Sequence, residues 1–206
     1  MSMGKGIPMK SLIARCAVIA GVALAAASLG AQETTRALTD LNQAGEWASY
    51  AWSKAPNTVA VVPEFPAELK GQGEPGALQV KVTWPGGEAF AFSTVVPSAP
   101  AALTIPYRVS KASLWIKGSG TGHYVELHFL ANGQEKSAEG KEYKLGLGQM
   151  TYDTWQKCEA VIPGDWPQPL TVKSIAMHSW SVPMAGEATC YFTRLEVTGD
   201  PGQALP

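Results

Sequence analysis

Apolar and polar residues alternate along most of this chain, and turn-forming residues interrupt the alternation about every ten positions. Side chains of an extended strand point to its two faces in turn, so a two-residue period marks strands buried on one side. The pattern predicts strands over residues 77–84 (ALQVKVTW), 89–96 (AFAFSTVV), 110–118 (SKASLWIKG), 124–131 (YVELHFLA), 154–162 (TWQKCEAVI), 170–180 (LTVKSIAMHSW) and 188–197 (ATCYFTRLEV). Val125, Leu127 and Phe129 then share one face and Glu126 and His128 the other; Ala112, Leu114 and Ile116 point away from Trp115. Asn132-Gly133 follows one of these strands, and both residues tolerate positive φ, so a tight turn is expected there. No segment keeps a 3.6-residue apolar period for a dozen residues, a short stretch over residues 35–52 being the one place where a helix competes with strand. Residues 53–76 carry four prolines and the run GQGEPG, and read as a long loop or an excursion over the fold. Seven or eight strands with no internal repeat predict an all-β chain, a single jelly-roll β-sandwich over residues 32–206.

The first 31 residues are of another kind. MKSLIARCAVIAGVALAAASLGAQ places Lys10 and Arg15 before an apolar run and ends in small residues, the pattern of a cleaved secretory signal peptide. The run over residues 16–29 falls short of the roughly 20 residues a membrane span needs. Cleavage after Gly30 or Ala31 both fit, Met9 offers an alternative start, and no cysteine follows the run to accept a lipid. The chain is therefore expected to be exported, with no stable membrane anchor after cleavage.

Removal of Lys5, Lys10 and Arg15 leaves 13 Lys+Arg against 17 Asp+Glu, a net charge of −4, which argues against a nucleic-acid partner. Cys158 and Cys190 remain, in a compartment where disulfides persist; they either pair or serve as two buried thiols. The histidines are His123, His128 and His178, with no His-x-x-x-His, no Cys-x-x-Cys and no Gly-rich loop leading into a helix. GSGTG, before His123, reads as a hairpin turn rather than a phosphate loop. The acids (Glu126, Glu135, Glu139, Glu142, Asp153, Glu159, Asp165, Glu187, Glu196) fall on outward strand positions or in loops, where solvation is the default. No metal, cofactor or catalytic set is nominated, and a non-catalytic protein is expected. Aromatic residues are the remaining resource: Trp47, Trp52, Trp84, Trp155, Trp166 and Trp180 lie at predicted strand ends or in loops, and Trp115 on an outer face. Exposed rings make platforms for sugars or protein partners, whereas buried ones plug the ends of a sandwich. The candidate surface aromatics are Trp115, Tyr124, Tyr152, Trp155, Trp166 and Trp180.

The order of GLGQMTYDTWQKCEAVIP, GDWPQP, LTVKSIAMHSW and CYFTRLEV resembles galactose-binding-like jelly rolls, in which such a turn leads a strand to an Ile-Pro or Leu-Pro ending. Within that group the chain resembles the filament outer-layer (sheath) proteins of spirochaete periplasmic flagella. Residues 114–118 with His123, Tyr124, Val125, Leu127 and Phe129 carry the first part of the resemblance. Leu145, Gly146, Met150, Tyr152, Trp155, Ile162 and Pro163 carry the second, and Tyr191, Phe192, Leu195 and Val197 the third. It covers residues 105–200, about half of the chain after the signal peptide. The resemblance implies an exported structural subunit coating the flagellar filament in the periplasm, with core flagellin and other sheath subunits as partners. Thr193-Arg194 stands where that family shows two acids, and a cation there would repel the structural calcium of sugar-binding relatives. The alternative is a secreted carbohydrate-binding domain stacking sugars on Trp115, Tyr124, Trp166 or Trp180; an enzyme with a carboxylate pair in a groove is a third reading.

Overall fold

The computed structural model describes residues 33–73, 75–87, 90–179 and 184–205, so the expected signal peptide and Trp180 lie outside the described residues. Among the described residues twelve strands run in chain order: β1 (Thr34–Thr39), β2 (Trp47–Ser49), β3 (Asn57–Val62), β4 (Ala77–Pro85), β5 (Phe92–Pro97), β6 (Thr104–Ile105), β7 (Tyr107–Lys117), β8 (Tyr124–Ala131), β9 (Lys144–Gln149), β10 (Trp155–Val161), β11 (Leu170–His178) and β12 (Ala185–Ala204). They form two six-stranded sheets. The first has the order β10-β7-β12-β4-β3, with β1 also on β12; the second has the order β2-β5-β11-β8-β9, with β6 also on β11. Every pairing is antiparallel. Neighbours in a sheet are mostly distant in sequence, the architecture of a jelly-roll β-sandwich.

The alternation read from the sequence fixes which face is covered. Leu114 and Ile116 of β7, Val80 and Val82 of β4, and Phe192 of β12 face Val125, Leu127 and Phe129 of β8 and Ile175 and Met177 of β11 in one buried cluster. Asn132 (φ 47°) and Gly133 (φ 75°) form the expected tight turn after β8.

Three segments differ from the sequence expectation. Residues 35–52 form no helix but strands β1 and β2, because β1 finds a ladder on β12 from Thr34↔Gly199 to Thr39↔Leu195 and Trp47 is buried. A local 3.6-residue pattern yields to the hydrogen bonds that a neighbouring strand supplies. Residues 53–76 contain the edge strand β3, which pairs with β4 from Asn57↔Val82 to Val62↔Ala77; its prolines flank rather than interrupt it. The glycine-rich start of GLGQMTYDTW is strand, not turn, since β9 pairs with β8 through Leu127↔Leu145 and Glu126↔Gly146.

β12 joins three partners. Its first half pairs with β4 through Phe192↔Leu78, its second half pairs with β1 from Leu195 onward, and β7 runs along its other edge. The exchange happens at a bulge where Arg194 has φ 50°, a left-handed conformation that costs a non-glycine residue about 1 kcal/mol. Side chains around the bulge hold it. Arg194 donates from Nη1 to Asp40 Oδ1 (3.1 Å) and to the Gln72 carbonyl, and its backbone N–H donates to the Asp40 carbonyl (3.3 Å). Thr193 Oγ1 lies 2.9 Å from both the Asp40 and Gly76 carbonyls. Arg194 therefore occupies a carbonyl-and-carboxylate cradle that ties the β1–β2 and β3–β4 connections to β12. Arg194→Met should lower stability by about 1–3 kcal/mol in urea denaturation, since it leaves charged and carbonyl acceptors without their donor; an unchanged midpoint would show that the cradle contributes nothing.

Candidate functional site: a groove on the outer face of one sheet

Cross-strand register sets the chemistry of the outward face of the second sheet. Residues opposite one another in a sheet share a face, so Gly146, Glu126, Ala176 and Thr94 form one row across β9, β8, β11 and β5. Gln149, Tyr124, His178 and Phe92 form a second row, and Lys144, His128 and Ser174 a third. Short side chains on β11, Ser174 and Ala176, therefore lie between larger ones on β5 and on β8 and β9. The result is a groove of ≈ 340 Å3 whose floor is Ser174 and Ala176. One wall holds Tyr50, Phe90, Phe92 and Val96; the other holds Glu126, His128, Glu142 and Lys144, with Lys173 also lining the groove.

The aromatic wall is open to solvent. Tyr50 is 41% exposed and Phe90 48%; Phe90 packs against Phe92 at 6.2 Å and against His178 at 5.7 Å between ring centroids. Tyr50 is fixed by its N–H donating to the Thr94 carbonyl (2.9 Å), and the turn that follows carries Trp52, 78% exposed. The charged wall centres on Glu126, only 8% exposed. Its Oε2 lies 3.1 Å from His128 Nε2, 3.5 Å from His178 Nε2 and 3.7 Å from Lys144 Nζ. Burial works against the ionised carboxyl, but the hydrogen bonds from His128 and His178 and the Lys144 charge outweigh it and hold Glu126 well below the usual carboxylate range. The groove thus sets a fixed, anionic hydrogen-bond acceptor across from a ring-bearing wall.

The candidate aromatics are dispersed. Tyr124 stands beside the groove, its ring 5.3 Å from His178 and lying over Gly146, where a Cβ would come within 3.0 Å of Tyr124 Cζ. Trp115 and Trp155 lie on the outer face of the other sheet, where Trp155 and Tyr191 both oppose Lys117 and their rings are 6.4 Å apart. Trp166 closes the core edge-on to Phe129 (6.0 Å) and Tyr143 (5.3 Å). Tyr152 is tucked against the core, its hydroxyl 3.0 Å from Met150 Sδ and 3.1 Å from Cys158 Sγ. Trp47 and Trp84 are buried. Tyr50, Phe90 and Phe92 are not among the sequence candidates, and Trp52 is there only as one of the Trp residues at strand ends or in loops. A period-two reading of AFAFSTVV does put Phe90, Phe92 and Thr94 on one face; what it lacks is the sign that this face is the outer one.

A wider cavity of ≈ 610 Å3 lies between residues 38–47 and 97–103, but its one ring, Trp47, is buried and its Asp40 serves Arg194. Among the described residues, no group of three or more His, Cys, Asp or Glu is placed to hold a metal ion.

Cys158 and Cys190 are free thiols, not a disulfide. β7 separates β10, which carries Cys158, from β12, which carries Cys190. Two strand spacings amount to roughly 10 Å, beyond the about 7 Å across which Cα atoms can be bridged. Each sulfur has its own partner: Cys158 meets the Tyr152 hydroxyl, and Cys190 Sγ lies 3.0 Å from His123 Nε2. His123, read as a turn residue, is fully buried, with Thr121 Oγ1 2.9 Å from its Nδ1. Burial, then the charge of His178, lowers His123 to about 4, and burial pushes the Cys190 thiol up to about 12. Both stay neutral near pH 7, so this pair is a packed hydrogen bond and not a thiolate nucleophile.

Two outcomes follow. Unreduced, denatured protein should give alkylated Cys158 and Cys190 peptides by mass spectrometry; a linked peptide pair would contradict the register. Because His123 binds its proton less readily folded than unfolded, its contribution is intact above pH 6.5 and is lost as pH falls toward about 4. Urea denaturation should show about 3 kcal/mol lost across that window, and a flatter profile in His123→Gln.

No family model matches the chain, and no curated protein matches it. Among solved structures, tailspike protein 4 of bacteriophage CBA120 matches at 14% identity and a TM-score of 0.47, over 78% of this chain and 20% of that one. An arabinose-bound α-L-arabinofuranosidase matches at 14% identity and a TM-score of 0.48, over 79% of this chain and 25% of that one. The chain thus spans about a fifth to a quarter of the length of these two. The carbohydrate-binding module CBM27-1 of Caldicellulosiruptor saccharolyticus, in complex with mannohexaose, matches at 12% identity and a TM-score of 0.48, over 80% of this chain and 96% of that one.

Proposed function

We propose that this domain binds carbohydrate without transforming it, in the groove on the outer face of the β2-β5-β11-β8-β9 sheet. The observation that carries the reading is the pairing of exposed rings, Tyr50 and Phe90, with the ionised Glu126 across a floor of Ser174 and Ala176. A pyranose ring has an apolar face, which stacks on an aromatic side chain, and a rim of hydroxyls, which donate to a carboxylate. Glycoside hydrolysis needs one carboxyl group held protonated to act as an acid. Glu126 is shifted in the opposite sense, and Glu142 is tied to Lys136 and Lys144 at 3.9 Å.

Export and cleavage of residues 1–31 fit this role, since an exported domain meets polysaccharide outside the cytoplasm. A second reading, a filament-coating subunit in the periplasm that meets flagellin and other sheath proteins, rests on the strand resemblance. The surface it would use is the outer face of the other sheet, with Trp115, Trp155 and Tyr191. Absence of the protein from purified flagellar filaments, checked with an antibody, would remove that reading.

Affinity electrophoresis through gels holding glucan, xylan, mannan or galactan tests the groove directly. At least one polymer should retard the protein, and Tyr50→Ala and Phe90→Ala should each weaken binding roughly 3- to 10-fold. No retardation by any of them would overturn the reading.

A further inference from the structure

We infer that the groove selects uncharged glycan chains and excludes anionic ones, and that Glu126 is the residue that enforces the choice; this rests on the carbohydrate reading above. The charges of the groove are already matched. Lys144 lies 3.7 Å from Glu126 and 3.9 Å from Glu142, and Lys173 lies 3.0 Å from Glu135. Both lysines that line the groove, Lys144 and Lys173, face an acid, so a uronate or sulfate pairing with either would have to displace an existing partner. It would also approach a carboxylate that is buried and held ionised by His128 and His178. Like charges in a partly desolvated site repel far more strongly than in water. A neutral sugar meets the opposite situation, because its hydroxyls donate to Glu126 and need no counterion.

The aromatic wall adds length to the selection. Phe90 and Tyr50 flank β5 on the groove side, and Trp52 stands 78% exposed in the turn that the Ser53 N–H closes onto the Tyr50 carbonyl (3.1 Å). Tyr50 and Phe90, two rings on one wall of the groove, offer stacking positions to more than one sugar of a chain. His128 and His178 act as positioning residues, fixing the carboxylate that the ligand reads. Nothing in this arrangement uses the Trp-bearing face of the other sheet.

The test compares the full chain on neutral polymers (glucan, xylan, mannan, galactan) and on anionic ones (polygalacturonate, alginate) in the same affinity gels. The expected result is retardation by a neutral polymer, none by the anionic ones, and at least a tenfold loss for Glu126→Gln with its urea midpoint measured alongside. A measurement on the unaltered protein keeps the test independent of how that variant folds. Affinity for the neutral polymer should change less than about twofold between low and high salt, since no ion pair is formed with the ligand. Retardation by polygalacturonate or alginate, or affinity that collapses with salt, would overturn the selection while leaving a carbohydrate-binding groove in place. Full retention of neutral-polymer binding by a folded Glu126→Gln would overturn the role of Glu126. Silence on both classes of polymer would remove the carbohydrate reading itself.

Discussion

One strand has to serve three partners, and the sandwich depends on how β12 does so. β12 has twenty residues and β4 nine, so β4 covers only the first half of one edge of β12 and the rest of that edge is taken by β1. The bulge at Arg194 turns β12 from β4 to β1, and the Asp40 and Gln72 contacts hold the bulge. A cation anchored on a side chain performs the bridging, where a bound ion would need acids that Thr193 and Arg194 do not supply.

With that sheet closed, the other is free to carry the groove. Its inward face is committed to Leu127, Phe129, Ile175 and Met177, so its outward face is fixed by the pleat alone. The bulge in β11 between Val172 and Ser174 shifts the register by one residue and brings Ser174 and Ala176 onto that face. Without it the alternation from Val172 would put different side chains under Glu126. Glu126 is consequently an outward-facing residue that is nonetheless buried, because two imidazoles and a lysine crowd it. Its ionisation is a property of that crowd and of no single neighbour.

The chain makes use of its polar core differently. His123 and Cys190 are both neutral, hydrogen-bonded to each other and sealed from water beside Trp84, 5.9 Å away. A thiol and an imidazole so placed resemble a catalytic pair in composition only. Burial moves their proton affinities apart in the sense that keeps both uncharged, which is the outcome expected of groups selected for packing.

Alternation alone determined the class of fold, the inward sets Ala112-Leu114-Ile116 and Val125-Leu127-Phe129, and the Asn132-Gly133 turn, because these depend on neighbours one to four residues away. Local pattern misread residues 35–52 and hid β3 and β9, since a short or glycine-rich strand has no signal of its own and is made by the strand beside it. Local reading puts Glu126 with His128 and Phe90 with Phe92, but it does not bring the two walls of the groove together. Tyr50, Phe92, Ala176, Glu126 and Lys144 come from five separate stretches of sequence, and only the register of β5, β11, β8 and β9 sets them side by side. The cysteines follow the same rule: their pairing is open in the sequence, and the intervening β7 keeps Cys158 and Cys190 apart.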